Sequence, residues 1–173
     1  MAQKLRVPIG FVIAAAVLYL AQPNRISILV GLPVAVVGGV FRALAAGVIK
    51  KDSSLASSGV YGLTRNPLYF GTSLLVAGFA IMSASEIAAT LMIVPFALIY
   101  PTVMLHEEAH LLKLFPDEFR LYKSKVPRFF PRITLPSSLS FSLPQYLANR
   151  EYNTALGFVG ALAVFVVKAV WGG

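Results

Sequence analysis

Two short polar segments hold most of the residues in this chain that could do chemistry. The first runs from Gly59 to Tyr69 and reads GVYGLTRNPLY. The second begins at Glu107 and Glu108 and ends in the run VPRFFP at residues 126–131. Carboxylates, tyrosines and arginines can hold a polar or cationic ligand through hydrogen bonds, ion pairs and contacts with ring faces. In a chain with few polar residues, its chemistry is expected where those residues lie.

The start of the second segment, with the residue before it, also spells a metal-protease signature. His106, Glu107 and His110 form HExxH, which in zinc proteases places two ligands and a general base on one helix face. A third protein ligand is needed, and the chain has 2 histidines and no cysteine. Asp117 follows a proline and is poorly placed to supply it. No metal site is expected, and a zinc metalloprotease is kept only as an alternative.

The polar residues also have structural explanations. Asparagine is a preferred N-cap and proline a preferred first helical residue, so Asn66 and Pro67 predict the start of an apolar helix with the Asn66 side chain as its cap. Glu107 and Glu108 are expected where another helix leaves the membrane and ends. A helix C-terminus disfavours negative charge, so a cation or a donor is expected nearby.

The composition indicates the class of fold that positions these residues. The chain has 173 residues, of which 57% are hydrophobic and 13% charged, with a mean hydropathy of +0.76. A soluble domain of this size could not bury so much apolar surface, whereas a membrane can cover it. The net charge is +8, but the basic residues flank apolar stretches, which is typical of membrane topology, and no nucleic-acid partner is expected.

The fold class predicted is all-α: one integral membrane domain over residues 1–173, built as a polytopic helix bundle. Five spans are predicted, at residues 7–21, 26–49, 68–85, 87–105 and 154–170. The second span carries small residues at four-residue intervals that would let another helix approach closely. These residues are Ala35, Gly39, Ala43 and Gly47.

Lysine and arginine counts predict the orientation of the bundle. Twelve of them lie in the N-terminus and in the segments 50–66 and 106–150, whereas the opposite side has Arg25 and Lys168. The positive-inside rule therefore predicts a cytoplasmic N-terminus, both polar segments in the cytoplasm, and the C-terminus on the opposite side. Arg42 lies inside the second span and is expected to snorkel or to line an internal cavity.

A surface helix is predicted after the fourth span. Pro116 suits the first position of a helix, acidic residues follow it, and Lys123 and Lys125 fall in its last turn, as the helix dipole prefers. Phe119 and Tyr122 belong to an apolar stripe at helical spacing. This pattern is typical of an interfacial helix that covers the ends of the spans.

Together, the two polar segments resemble the isoprenylcysteine carboxyl methyltransferase and phospholipid methyltransferase family of integral membrane enzymes. The resemblance covers roughly residues 52–133. It rests on SGVY at 58–61 and RNPLY at 65–69, then on the paired glutamates, FPDEFRLY at 115–122 and VPRFFP at 126–131. Each element alone is weak, but their order around one helical hairpin is specific.

The resemblance implies S-adenosylmethionine as methyl donor, held by segments 52–69 and 106–133. Carried over residue by residue, it assigns cofactor binding to Ser53, Ser54, Leu55, Ala56, Tyr61, Asn66, Pro67, Leu68, Tyr69 and Glu107. Two positions depart from the family. Many members have histidine where this chain has Asn66, and Val103 stands where prenylcysteine enzymes place a substrate-binding arginine. Methyl transfer is therefore better supported than a prenylcysteine substrate.

The implied reaction is methyl transfer to a membrane-embedded or amphiphilic acceptor, such as an isoprenylcysteine-like carboxylate or a lipid amine. Glu108 and His110 are the nearby residues that could accept a proton. Arg120 and Arg128 could hold an acidic head group. The alternatives are a membrane reductase that uses NADPH on a sterol-like lipid and a non-enzymatic protein on the same scaffold. The acceptor atom and the oligomeric state stay open.

Overall fold

The computed structural model describes residues 2–50, 53–134 and 141–171, with side chains from residue 10 onward. Within these ranges the chain folds into helices, and no strand is present, as predicted. The α-helices are α1 (Ala2–Leu20), α2 (Arg25–Ala46), α3 (Pro67–Ser83), α4 (Glu86–Leu114), α5 (Pro116–Lys125), α6 (Leu143–Ala148) and α7 (Tyr152–Trp171). A short 3-10 turn at Gly59–Gly62 lies between α2 and α3.

Three of these helices, α2, α4 and α7, are long and apolar enough to cross a membrane. The apolar part of α1, Gly10–Leu20, and the whole of α3 are shorter apolar helices. Many large apolar side chains, among them Leu29, Leu98 and Val159, face outward from the bundle. A helical membrane bundle is therefore confirmed, and crossing by α1 and α3 stays a prediction.

Glycines bring α2 and α3 into close contact. A Cβ atom added to Gly38 would lie 2.6 Å from the carbonyl oxygen of Gly71, and one added to Gly31 would lie 2.5 Å from that of Gly78. The predicted stripe is therefore only partly correct. Ala35 belongs to this contact, but a Cβ on Gly39 would meet nothing within 4 Å. The close contact is made by a neighbouring face of α2, because that face carries Gly31 and Gly38 opposite the glycines of α3.

The fourth helix is longer than expected. Ser85 caps its N-terminus, and α4 continues through Pro95 and Pro101 to Leu114. The prediction that the paired glutamates mark its end is wrong, because the helix simply becomes polar where its apolar stretch stops. The carboxylates therefore lie on the side of a continuous helix and can face other elements.

Two cations connect distant helices. Arg42 on α2 donates to both carboxylate oxygens of Glu151 at 2.7 and 2.9 Å, and its other contacts are Thr72 and Thr154. Lys168 on α7 donates to the three carbonyls of Leu18, Tyr19 and Ala21 and so caps the end of α1. Charges on apolar helices are costly unless they are paired in this way.

Candidate functional site

The loop that holds the first polar segment is bound directly to the chain that follows α5. The amide of Arg65 donates to the carbonyl of Pro127 at 2.9 Å, and the amide of Arg132 donates to that of Leu63 at 3.0 Å. Thr64, which is fully buried, donates its hydroxyl toward the carbonyls of Arg128 and Phe129. The two segments singled out in the sequence thus form one structure at one end of the bundle.

The helix α5 covers this loop, as the interfacial-helix prediction requires. Phe119 and Tyr122 are buried, and the Tyr122 hydroxyl donates to the carbonyl of Tyr61 at 2.7 Å. Gly59 begins the turn with φ of 59°, a left-handed conformation that suits glycine. Burial raises the pKa of the Tyr61 and Tyr122 phenols well above the usual range for tyrosine.

Glu108 is a buried connection point between the segments. Its side chain is 8% exposed, and both oxygens lie 3.3 Å from Arg128 Nε. Oε1 also lies 3.5 Å from Arg65 Nη2 and 3.4 Å from Asn66 Nδ2. Because three donors from both segments converge on one carboxylate, Glu108 holds the segments together, and its role as a base stays a prediction.

Asn66 does not act as the predicted side-chain cap. It occupies the N-cap position and α3 begins at Pro67 as expected, but the side chain makes no capping hydrogen bond. Instead, Nδ2 donates to the carbonyl of Arg128 at 3.0 Å. The capping prediction is wrong: Nδ2 bonds the Arg128 carbonyl and lies 3.4 Å from Glu108 Oε1, and these contacts orient the side chain toward another part of the chain.

Glu107 has a different environment from its neighbour. It is exposed, and its Oε1 accepts a hydrogen bond of 2.6 Å from the Tyr69 hydroxyl. Tyr69 and Glu107 therefore connect the start of α3 to α4.

A cleft lies between these residues. It consists of a cavity of about 190 Å³ and a smaller one of about 60 Å³ that share the walls Ile49, Tyr61, Arg65, Glu107 and Leu111. We call this pair of cavities the polar cleft. Among the residues assigned to the cofactor, those that line it are Ser54, Leu55, Ala56, Tyr61, Asn66, Pro67, Leu68, Tyr69 and Glu107. Ser53 is not among the lining residues, and its hydroxyl donates to the carbonyl of Lys50.

The residues predicted to act on the acceptor are more scattered. His110 lines the larger cavity and Glu108 the smaller one. Arg128 faces Glu108, and Arg120 is 72% exposed with Asp117 at 4.0 Å. Neither arginine lines the polar cleft. Arg65 does line both cavities, although the sequence assigned it no role.

Two of the three HExxH residues make other contacts. The ring nitrogen Nδ1 of His106 lies 2.8 Å from the carbonyl of Thr102, and Glu107 is bonded to Tyr69. Across residues 2–50, 53–134 and 141–171, no group of three or more His, Cys, Asp or Glu side chains could hold a metal ion.

A second, larger space lies between the helices and is open to the outside of the bundle. This apolar cavity of about 490 Å³ is bounded by α1, α3, α4 and α7, and Phe96, Tyr100 and Gly157 are among its walls. The Tyr100 ring lies edge-on to that of Tyr69, with centroids 5.3 Å apart. This aromatic pair thus joins a wall residue of the apolar cavity to a wall residue of the polar cleft. No motif marks this cavity in the sequence, because its walls come from four helices.

Comparison with known proteins agrees with the residues that carry the resemblance. A family model described as phospholipid methyltransferase matches residues 28–118, just over half of the 173-residue chain. This match runs from α2 into α5 and includes the RNPLY motif and both paired glutamates.

Two curated relatives are similar to parts of the chain. One is the cobalt-zinc-cadmium resistance protein CzcN of Cupriavidus metallidurans, with 38% identity over 86 residues, 50% of this chain and 39% of that protein. The other is the nickel-cobalt-cadmium resistance protein NccN of Alcaligenes xylosoxydans xylosoxydans, with 35% identity over 122 residues, 70% of this chain and 51% of that protein. The chain thus spans about half the length of these relatives or less.

No solved structure matches the chain. The family match covers the first polar segment and the paired glutamates that begin the second, and it is sufficient to assign the chain. It belongs to the phospholipid methyltransferase family.

Proposed function

We propose that this protein is an S-adenosylmethionine-dependent methyltransferase that acts on an amphiphilic acceptor dissolved in the membrane. The observation that carries the proposal is the contact between Tyr69 and Tyr100, since it brings a polar cleft next to an apolar cavity. A soluble donor could occupy the first space while the apolar part of the acceptor fills the second. Membership of a methyltransferase family supports the same assignment.

The polar cleft suits the proposed donor chemically. The carboxylate of Glu107 can accept hydrogen bonds from ribose hydroxyls or from an ammonium group. Leu55, Ala56 and Leu111 give the cleft apolar walls against which an adenine could pack. The ring faces of Tyr61 and Tyr69 can attract a sulfonium cation. When bound, S-adenosylmethionine supplies an already activated methyl group.

The protein's contribution would then be alignment and exclusion of water. Reactant alignment can lower a barrier by about 7–11 kcal/mol in favourable cases. We assign Glu108 to positioning, because its oxygens already face Arg65, Asn66 and Arg128. Where the acceptor must lose a proton, we assign its removal to His110, on the wall of the larger cavity. A carboxylate acceptor would need no base.

The Lys and Arg distribution supports an orientation with the polar cleft in the cytoplasm. A cytoplasmic cleft would admit a soluble donor directly. The reductase alternative has less support. Glu107, an exposed carboxylate on the wall of the polar cleft, would repel the phosphates of a nicotinamide dinucleotide.

A transfer assay with matched glycine variants tests the proposal. Gly157 lines the apolar cavity and Gly160 does not, yet a Cβ added to either would meet nothing within 4 Å. The purified protein is reconstituted in vesicles that contain phosphatidylethanolamine, or in parallel a prenylated N-acetylcysteine, and is given methyl-labelled S-adenosylmethionine. Label is then counted in the apolar extract.

We expect transfer to at least one acceptor by the wild type and by Gly160→Leu. Gly157→Leu should reduce transfer at least tenfold by filling the apolar cavity, without changing the affinity for S-adenosylhomocysteine. Equal transfer by the two variants would contradict the acceptor site. No transfer by a wild type that also fails to bind S-adenosylhomocysteine would contradict the methyltransferase proposal.

A further inference from the structure

Arg65 has a guanidinium group that the protein does not satisfy. Its side chain is 7% exposed, and its ion pair is with Glu108, 3.5 Å from Nη2. Nε and Nη1 are buried and have no hydrogen-bond partner among the described residues. Leaving a buried donor unsatisfied costs about 1–3 kcal/mol. Such groups are rare in folded proteins, and one at a cleft points to a ligand.

Arg42 provides an internal comparison. It is also largely buried, and its Nε, Nη1 and Nη2 each have a hydrogen-bond partner. Where this fold uses an arginine to connect helices, it therefore supplies carboxylate and hydroxyl acceptors. Arg65 has one carboxylate oxygen nearby, Oε1 of Glu108, at 3.5 Å from Nη2. A structural role therefore accounts for only one of its three nitrogens.

The position of Arg65 indicates what would complete its contacts. It lines both cavities of the polar cleft, as does Glu107. The cleft thus presents a guanidinium and a carboxylate to whatever lies within it. A guanidinium fork matches a carboxylate in a bidentate contact, and a carboxylate matches an ammonium group.

We propose that Arg65 binds the α-carboxylate of the methyl donor, with Glu107 opposite its α-ammonium group. This inference rests on the proposed function, because it assumes that the donor occupies the polar cleft. An amino acid end carries both charges on one carbon, which matches a cleft with one basic and one acidic wall residue. An anionic head group of the acceptor would explain Arg65 alone, but it would leave Glu107 facing a negative charge.

The test compares two ligands in calorimetric titrations of the detergent-purified protein. One is S-adenosylhomocysteine and the other is its analogue that lacks the α-carboxylate. For the wild type we expect the analogue to bind at least tenfold more weakly. For Arg65→Gln we expect a tenfold to hundredfold loss of affinity for S-adenosylhomocysteine and a change of less than threefold for the analogue.

Two further variants make the comparison specific. Arg65→Lys keeps the charge without the fork and should lie between the wild type and Arg65→Gln. Arg25→Gln removes the same charge at the exposed first residue of α2 and should bind both ligands as the wild type does.

Equal wild-type affinity for the two ligands would overturn the inference. An equal loss for both ligands in Arg65→Gln would also overturn it, because it would indicate a structural role. If Arg65→Gln does not fold, the wild-type comparison decides alone. A folded wild type that binds neither ligand would contradict the proposed function itself, so the two failures are distinguishable.

Discussion

The hydroxyl of Tyr69, in the first turn of α3, lies 2.6 Å from Oε1 of Glu107 on α4. The same tyrosine ring packs edge-on against Tyr100, which lines the apolar cavity. Tyr69 therefore lines the polar cleft and packs against a wall residue of the apolar cavity. The contact between Tyr69 and Tyr100 thus connects the RNPLY motif directly to the apolar cavity.

Removing this hydroxyl should weaken donor binding without unfolding the protein. In Tyr69→Phe, Glu107 loses one hydrogen bond while the ring packing against Tyr100 is kept. A hydrogen bond to a charged group contributes about 1.5–3 kcal/mol, and water can replace part of it here, so we expect the affinity for S-adenosylhomocysteine to fall about tenfold. Calorimetry measures the change. Tyr19→Phe, in a residue that is 84% exposed on α1, is the control and should bind normally.

The two adjacent glutamates should respond differently to one substitution. Glu108→Gln removes a buried charge that faces Arg65 and Arg128, so we expect a loss of about 3 kcal/mol of stability. Glu107→Gln changes an exposed carboxylate and should leave stability nearly unchanged while it weakens ligand binding. Thermal unfolding in detergent and calorimetry separate the two effects. A stable Glu108→Gln protein would contradict the positioning role.

Adjacent glycines on α2 should also differ. A Cβ at Gly38 would lie 2.6 Å from the carbonyl oxygen of Gly71, whereas one at Gly39 would meet nothing within 4 Å. We expect Gly38→Ala to destabilise the bundle by about 1–3 kcal/mol through overpacking. Gly39→Ala should be neutral or stabilising by about 0.5–1 kcal/mol, since alanine favours the helix. Equal unfolding temperatures for both variants would contradict a close contact between α2 and α3 at Gly38.

The ion pair between Arg42 and Glu151 should anchor α7 to α2. Glu151→Gln leaves the guanidinium without its counter-charge, and we expect a loss of about 3 kcal/mol. Arg42→Met and Glu151→Met each leave one unpaired charge, and replacing both residues with methionine should cost less than either of these single changes. A double-mutant cycle followed by thermal unfolding measures the coupling. Additive effects of the two single changes would mean that the pair contributes little.

The features that could be predicted from the sequence are those that depend on neighbouring residues. Pro116 with its acidic and basic flanks gave the bounds of α5 almost completely, because helix starts and ends obey local rules. The apolar stretches likewise predicted the membrane bundle. The end of α4 was misjudged, since a helix that leaves the membrane can continue with polar residues to Leu114.

The missed features depend on residues far apart in the chain. The Asn66 side chain turns to the carbonyl of Arg128, 62 positions away, and Arg42 finds Glu151 at a separation of 109. Local rules predict that Asn66 caps a helix. For Arg42 they predict only that it snorkels or lines an internal cavity. The unsatisfied nitrogens of Arg65 follow from burial between two segments, and a motif alone does not reveal burial.

The most direct test of the central claim, that the polar cleft binds the methyl donor, is a calorimetric titration of S-adenosylhomocysteine into the detergent-purified protein. Glu107→Ala is measured alongside, with Glu86→Ala, an exposed glutamate at the opposite end of α4, as its control. We expect binding by the wild type and by Glu86→Ala and loss of binding in a folded Glu107→Ala protein. A monodisperse wild type that does not bind S-adenosylhomocysteine would contradict the claim.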